Sequence, residues 1–276
     1  MSKDFEGEFT LMSDADANEF IGYPNEKHPA VRIVEDGDVR MKVQALFEYK
    51  RNVAVVEYTI PKDGAYIDTN VTMFSNEPNK MIKYCFDTKI SGKPWGETAF
   101  GMEELYSDEK ESVFHKWCGI RGEDSLYILN RGTYGGSFTD NSMKISLLRT
   151  AIYSAHPIND RQIAPHNRYM NHIDMGERNF SFRITTGENV EREAQIYNEA
   201  PYLMSFFPSG EGVAKTSAVT INNSDIILSS VKKNDRGEFE ITLHNFADHE
   251  NDAELVFGDK KLDLHFGKFE LKTVKM

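Results

Sequence analysis

The sequence predicts an all-β protein assembled from antiparallel sandwiches, and three observations within its 276 residues carry that expectation. First, Val39, Met41, Val43, Ala45, Phe47 and Tyr49 alternate with Arg40, Lys42, Gln44, Leu46 and Glu48. A period of two places one set on a buried face and the other towards water. Second, another apolar run, residues 53–60, follows the short polar link Lys50-Arg51-Asn52, so the two runs form a hairpin. Third, beyond Pro208-Ser209-Gly210-Glu211-Gly212 the apolar runs shorten and recur about every 8–12 residues, the spacing of a separate small sandwich.

The remaining strand candidates follow in order: residues 66–74, 81–90, 113–118, 125–130, 143–149, 179–185 and 202–207. In the last part they are 226–231, 239–243, 254–257, 262–266 and 269–274. One helix is expected over residues 188–198, where Val190, Ala194 and Tyr197 share a face before Pro201. Antiparallel pairing through short polar turns favours sandwiches over βαβ units. The domain boundary is expected near residues 215–222, giving a large domain of 1–218 and a small one of 219–276. The stretch 151–176, with two prolines and three histidines, is long and irregular, which is often a functional trait.

Composition narrows the function. The net charge is −12, and no basic face exists to displace counterions from a nucleic acid or an anionic membrane. Cys85 and Cys118 lie in strand-like surroundings without a CxxC, so both are expected as small core hydrophobes rather than a disulfide. No run approaches the roughly 20 apolar residues of a membrane span, and the first residues lack the apolar core of a secretory signal. These features lead to the expectation of a cytoplasmic protein.

Few residue patterns carry chemistry by themselves. His166, His172, Asp174 and Glu177 are of metal-ligating type, but H-x5-H-x-D-x2-E matches no zinc spacing with a mechanical rationale. A glycosidase needs two carboxyl groups across the scissile bond, and with 44 acidic residues spacing cannot select a pair. Nucleophile elbows, phosphate-binding loops and dinucleotide fingerprints are absent. Trp117 alternates as a strand residue and is expected in the core. Trp95 follows Pro94 in an expected turn and is the better candidate for partial exposure.

Several segments in order resemble the C-terminal region of glycoside hydrolase family 38 α-mannosidases. They are Val31-Arg32-Ile33-Val34-Glu35-Asp36-Gly37-Asp38-Val39-Arg40; Ala99-Phe100-Gly101-Met102-Glu103 with His115-Lys116-Trp117; and Leu129-Asn130-Arg131-Gly132-Thr133-Tyr134-Gly135. Met143 to Thr150, Asp174-Met175-Gly176-Glu177-Arg178-Asn179-Phe180, Ala194 with Asn198-Glu199-Ala200-Pro201, and the closing strands 227–232 and 269–274 complete the set. Each motif singly is unspecific; seven in one order are specific. The resemblance implies a large galactose-mutarotase-like antiparallel supersandwich followed by a small C-terminal β-sandwich.

It also implies an aspartate nucleophile and a bound zinc in an N-terminal α/β barrel and three-helix segment that this sequence does not include. No catalytic residue or metal ligand is therefore carried over, and no cofactor is expected in this chain. The expected role is to contact an α-mannoside or oligosaccharide. The residues matched to that role are Asn130, Gly132, Tyr134, Gly135, Arg149, Asp174 and Glu177. Arg149 and Glu177 have the alternative of a structural ion pair. The family often continues Tyr-Gly-Tyr where this chain has Tyr134-Gly135-Gly136, so a sugar-facing aromatic is missing. The expected partners are a separately encoded N-terminal half, docked on an exposed apolar patch, or a second copy of the chain. The alternatives are an aldose 1-epimerase on the same architecture and a stand-alone carbohydrate-binding sandwich.

Overall fold

The computed structural model describes residues 7–22, 27–152, 169–205 and 217–276. The chain divides into two compact units, Met1–Trp95 with Leu105–Glu188, and Gly96–Glu104 with Asn189–Met276.

The first unit begins with β1 (Thr10–Leu11) and α1 (Asp14–Ile21). The strands β2 (Val31–Asp36), β3 (Arg40–Tyr49), β4 (Asn52–Pro61), β5 (Tyr66–Ser75), β6 (Met81–Asp87) and β7 (Gly92–Thr98) follow. After β8 (Gly101–Glu104), which groups with the second unit, come β9 (Glu111–Val113), β10 (Trp117–Gly122), β11 (Ser125–Asn130), β12 (Gly135–Phe138), β13 (Ser142–Arg149) and β14 (Gly176–Thr185). The larger sheet runs β1-β3-β4-β5-β14-β11-β10-β7, with β2 sharing an edge of β3 with β1. The smaller sheet runs β6-β13-β12-β9. The pairings of β3 with β4, β4 with β5, β5 with β14 and β6 with β13 are antiparallel, so the all-β sandwich expected from the alternation is what the chain forms.

The β3–β4 hairpin has the expected register, with Tyr49 opposite Asn52 and Lys50 in the left-handed region at φ 54°. Between the sheets lies one core. Ala54, Val56, Val71, Met73, Ile128 and Phe182 of the larger sheet pack with Ile82, Phe138, Met143 and Ile145 of the smaller one. Their burial supplies the main drive for closing the sandwich, about 1.5–3 kcal/mol for each fully buried large side chain.

Helix α1 is an element the alternation does not announce. Ser13 caps it by accepting the Asp16 N–H at 3.1 Å, and Gly22 closes it in the left-handed conformation at φ 76°. The capping residues were the available signal. Ala17 packs into a small cluster with Met12, Ala30 and Leu46.

The second unit contains α2 (Val190–Asn198) and β15 (Val219–Ile221), β16 (Ile226–Lys233), β17 (Phe239–Asn245), β18 (Asn251–Phe257), β19 (Lys260–Phe266) and β20 (Leu271–Lys275). Two three-stranded sheets, β15-β18-β19 and β16-β17-β20, enclose Ile226, Ile241, Leu243, Ala253, Leu255 and Phe266. The expected helix forms, capped by the Asn189 side chain on the Arg192 N–H at 3.1 Å.

Four expectations need correction. The run 113–118 is two strands, because Phe114 N–H donates to Tyr134 and Lys116 C=O accepts from Asn130, turning the chain from the smaller sheet to the larger. Residues 202–205 form no strand, and Tyr202, Leu203 and Met204 stay exposed with no alternate face buried. Cys85 is exposed, since the pleat of β6 turns Ile82, Tyr84 and Phe86 inward and leaves Cys85 on the other side; Cys118 is buried as expected. Trp95 sits in β7 rather than a turn, half-buried, with the Arg121 guanidinium 5.5 Å from its ring centre. Trp117 is fully buried.

Candidate functional site

The residues singled out in the sequence fall into two groups. Asn130, Gly132, Tyr134 and Gly135 form the connection from β11 to β12, where the chain passes from the larger sheet to the smaller. Asn130 is buried and organises it. Its Nδ2 donates to the His115 carbonyl at 2.6 Å, and its Oδ1 accepts the Thr133 N–H at 3.0 Å. Its own N–H donates to the Lys116 carbonyl at 2.9 Å. One side chain thus fixes two connections at once.

Gly132 lies at φ 90°, a conformation that L side chains rarely adopt, with open space where a Cβ would stand. Tyr134 projects outward and is 55% exposed; its ring meets His115 edge-on at 6.4 Å. Val113, opposite Gly135 in the sheet, is exposed beside it. The result is a small apolar and aromatic surface held on a rigid turn. The neighbouring Gly136 is constrained differently: a Cβ there would lie 2.8 Å from the Lys144 carbonyl and 3.3 Å from the Phe114 ring. The structure therefore has no room for the aromatic that the family often carries at this place.

The second group is Arg149, Asp174 and Glu177. Arg149 ends β13, exposed, opposite Met81. The next residue, Thr150, is buried; its hydroxyl donates to Glu77 C=O at 2.6 Å and accepts the Lys80 N–H at 2.9 Å. Ile173 N–H then donates to Ala151 C=O at 3.0 Å, closing the two ends of the 151–176 stretch together. Asp174 takes a left-handed backbone at φ 54°, with its carboxylate 4.0 Å from the Arg178 guanidinium. Glu177 stands exposed on β14 opposite Phe74, and it makes no ion pair with Arg149 among the described residues. His166 and residues 153–168 lie outside the described residues. His172 is partly buried, with its Nε2 shielded and without a hydrogen-bond partner.

Asn130 and Glu177 stand apart on the larger sheet. Asn130 is opposite Phe182, five residues along β14 from Glu177, a separation of about 16 Å at ~3.3 Å per residue. Among the described residues no three His, Cys, Asp or Glu side chains come together to hold a metal ion. Burial raises the Cys118 thiol pKa, and it raises that of Cys85 despite the Lys144 charge, so neither is an activated nucleophile. Burial also raises the Tyr84 hydroxyl, which meets Tyr58 at 3.4 Å inside the sandwich. An open depression in the second unit, lined by Asn222, Asp252, Glu254, Asp263 and His265, includes none of the sequence-selected residues. His115 and Thr150 enter the sequence only as members of the family motifs; their supporting roles, a carbonyl held by Asn130 and a hydroxyl joined to the backbone of Glu77 and Lys80, depend on contacts between distant segments.

Residues 14–160 match the model of the glycosyl hydrolases family 38 C-terminal domain. The chain belongs to that family. Two solved structures share its fold: an α-mannosidase from Enterococcus faecalis V583, with a TM-score of 0.72 and 11% identity, and a glycosyl hydrolase family 38 protein from Enterococcus faecalis, with a TM-score of 0.73 and 11% identity. Each alignment covers 89% of this chain but only 34% and 36% of those chains, so this family 38 chain spans about a third of their length. No curated protein matches it. No helix among the described residues is long and apolar enough to cross a membrane.

Proposed function

We propose that this family 38 chain is the structural, carbohydrate-contacting β-portion of an α-mannosidase. It hydrolyses α-mannosides only together with a catalytic half that supplies the carboxylate nucleophile and the zinc. The observation that carries this reading is the family match over residues 14–160 in a chain whose fold corresponds to about a third of an α-mannosidase. In this reading residues 1–218 act as the supersandwich and residues 219–276 as the small terminal domain; all six strands of the two three-stranded sheets lie at or beyond Val219.

The contribution of this chain is positioning. Tyr134 offers a ring face to the apolar C–H surface of a pyranose, held still by Asn130 and Gly132. Glu177 on β14, Asp174 just before it and Arg149 at the end of β13 offer charged donors and acceptors to sugar hydroxyls away from the β11–β12 connection, which suits an oligosaccharide better than a single sugar. Two unpaired cysteines fit a reducing, cytoplasmic setting.

The test is hydrolysis of an aryl α-mannoside by the purified chain, with and without zinc, and by the chain mixed with a family 38 N-terminal half. Activity of the mixture alone supports the reading. Turnover by this chain alone overturns it and moves the catalytic carboxylate onto these residues.

A further inference from the structure

The margin of the larger sheet carries a second surface. β3 pairs one edge of β2, and no described strand pairs the other. An open edge presents backbone N–H and C=O groups to any strand that fits them. Its apolar side chains are also uncovered: Val31 and Val34 are exposed, Ile33 is 61% exposed, and Val39 beyond the turn is 79% exposed.

The register of β2 shapes its charge pattern. Arg32 lies opposite Gln44 and Ile33 opposite Val43; a bulge then brings Glu35 opposite Lys42. Residues three apart in a regular strand point to opposite faces. The bulge absorbs one residue, so Arg32 and Glu35 stand on the same face, that of Gln44 and Lys42. Arg32 Nε and Nη2 donate to Gln44 Oε1 at 3.1 and 2.9 Å, and Glu35 Oε2 lies 3.8 Å from Lys42 Nζ.

We propose that a second copy of this chain pairs with the open edge of β2, antiparallel and about a two-fold axis between Ile33 and Val34. In that register Arg32 of each copy faces Glu35 of the other, and Ile33 faces Val34. Because a two-fold contact repeats every pair, the attraction occurs twice and no like charges stand opposite each other. The segment Val31-Arg32-Ile33-Val34-Glu35-Asp36 is self-complementary only because the bulge has brought its two central charges to one face. Arg32 uses three of its five N–H groups on Gln44 and His28, leaving donors for the second copy. This pairing is independent of the mannoside chemistry.

Sedimentation velocity of the full chain across the micromolar range tests it. A concentration-dependent monomer–dimer equilibrium is expected. Arg32→Glu and Glu35→Arg should each weaken it about tenfold, since two attractive cross-strand pairs become repulsive. The double variant R32E/E35R restores opposite signs and should regain the dimer. Ile33→Lys, at the centre, gives a monomer and serves if a charge variant fails to fold, with thermal melts of each protein reporting folding. A wild type that stays monomeric overturns the proposal. So does a dimer indifferent to the single changes, or a folded double variant that remains monomeric.

Discussion

Asn130 reaches back fifteen residues to hold the His115 carbonyl at 2.6 Å while its other side-chain atom accepts the Thr133 N–H at 3.0 Å. This one side chain fixes the approach to β10 and the departure from β11, and with them the outward aim of Tyr134. Asn130→Ala takes one hydrogen bond from the His115 carbonyl and leaves the buried Thr133 N–H without its partner. The expected cost is about 2–4 kcal/mol, read as a lowered urea midpoint with an unchanged slope.

Tyr134 contrasts with Asn130. It is more than half exposed and packs only edge-on against His115. Tyr134→Ala should change stability by less than about 0.5 kcal/mol, yet weaken carbohydrate contact. Calorimetric titration with a mannose oligosaccharide compares the two proteins; identical binding removes Tyr134 from the contact surface.

Gly136 should tolerate no side chain. The Cβ of an alanine would stand 2.8 Å from a backbone carbonyl, which cannot swing aside as a flexible side chain does. Gly136→Ala is expected to destabilise by about 1–3 kcal/mol, the range for overpacking, and Gly136→Tyr by more. A melt of Gly136→Ala indistinguishable from wild type would contradict this geometry.

Arg183 clamps Asp68 across β14 and β5 with two hydrogen bonds, Nε to Oδ1 at 2.7 Å and Nη2 to Oδ2 at 2.9 Å, and lies 3.8 Å over the Tyr66 ring. A lysine keeps the charge but loses the fork and the stack. Arg183→Lys should cost about 1–2 kcal/mol, and a double-mutant cycle with Asp68→Asn should show clear coupling. Additive effects would make the pair incidental.

The two cysteines should behave differently towards an alkylating reagent. Cys85 is on the surface and Cys118 is buried, and burial raises both thiols. A raised pKa means less thiolate at neutral pH, so Cys85 should react more slowly than a free thiol and accelerate as pH rises past the ordinary thiol range. Intact-mass measurement should find one label on the native chain and two after unfolding.

Much of this architecture is legible in the sequence because alternation is a local property. The period of two marks residues 40–49 as a strand whatever it pairs with, but it misplaces two side chains: Leu46, expected towards water, is buried against Met12, Ala17 and Ala30, and Val39, expected on the buried face, is 79% exposed. The short polar link at residues 50–52 makes the hairpin, and the seven ordered motifs point to the family. Tertiary structure alone decided matters that depend on residues distant in sequence. The split of residues 113–118 into two strands arises because Asn130 and Tyr134 capture the backbone between them. The failure of residues 202–205 to form a strand reflects the lack of a covering surface. The outward turn of Cys85 follows from which face of β6 the core selects. The bulge that brings Arg32 and Glu35 to one face is set by pairing with β3. Local pattern determines which elements can form; hydrogen bonds and burial between distant segments determine where they end and which way their side chains face.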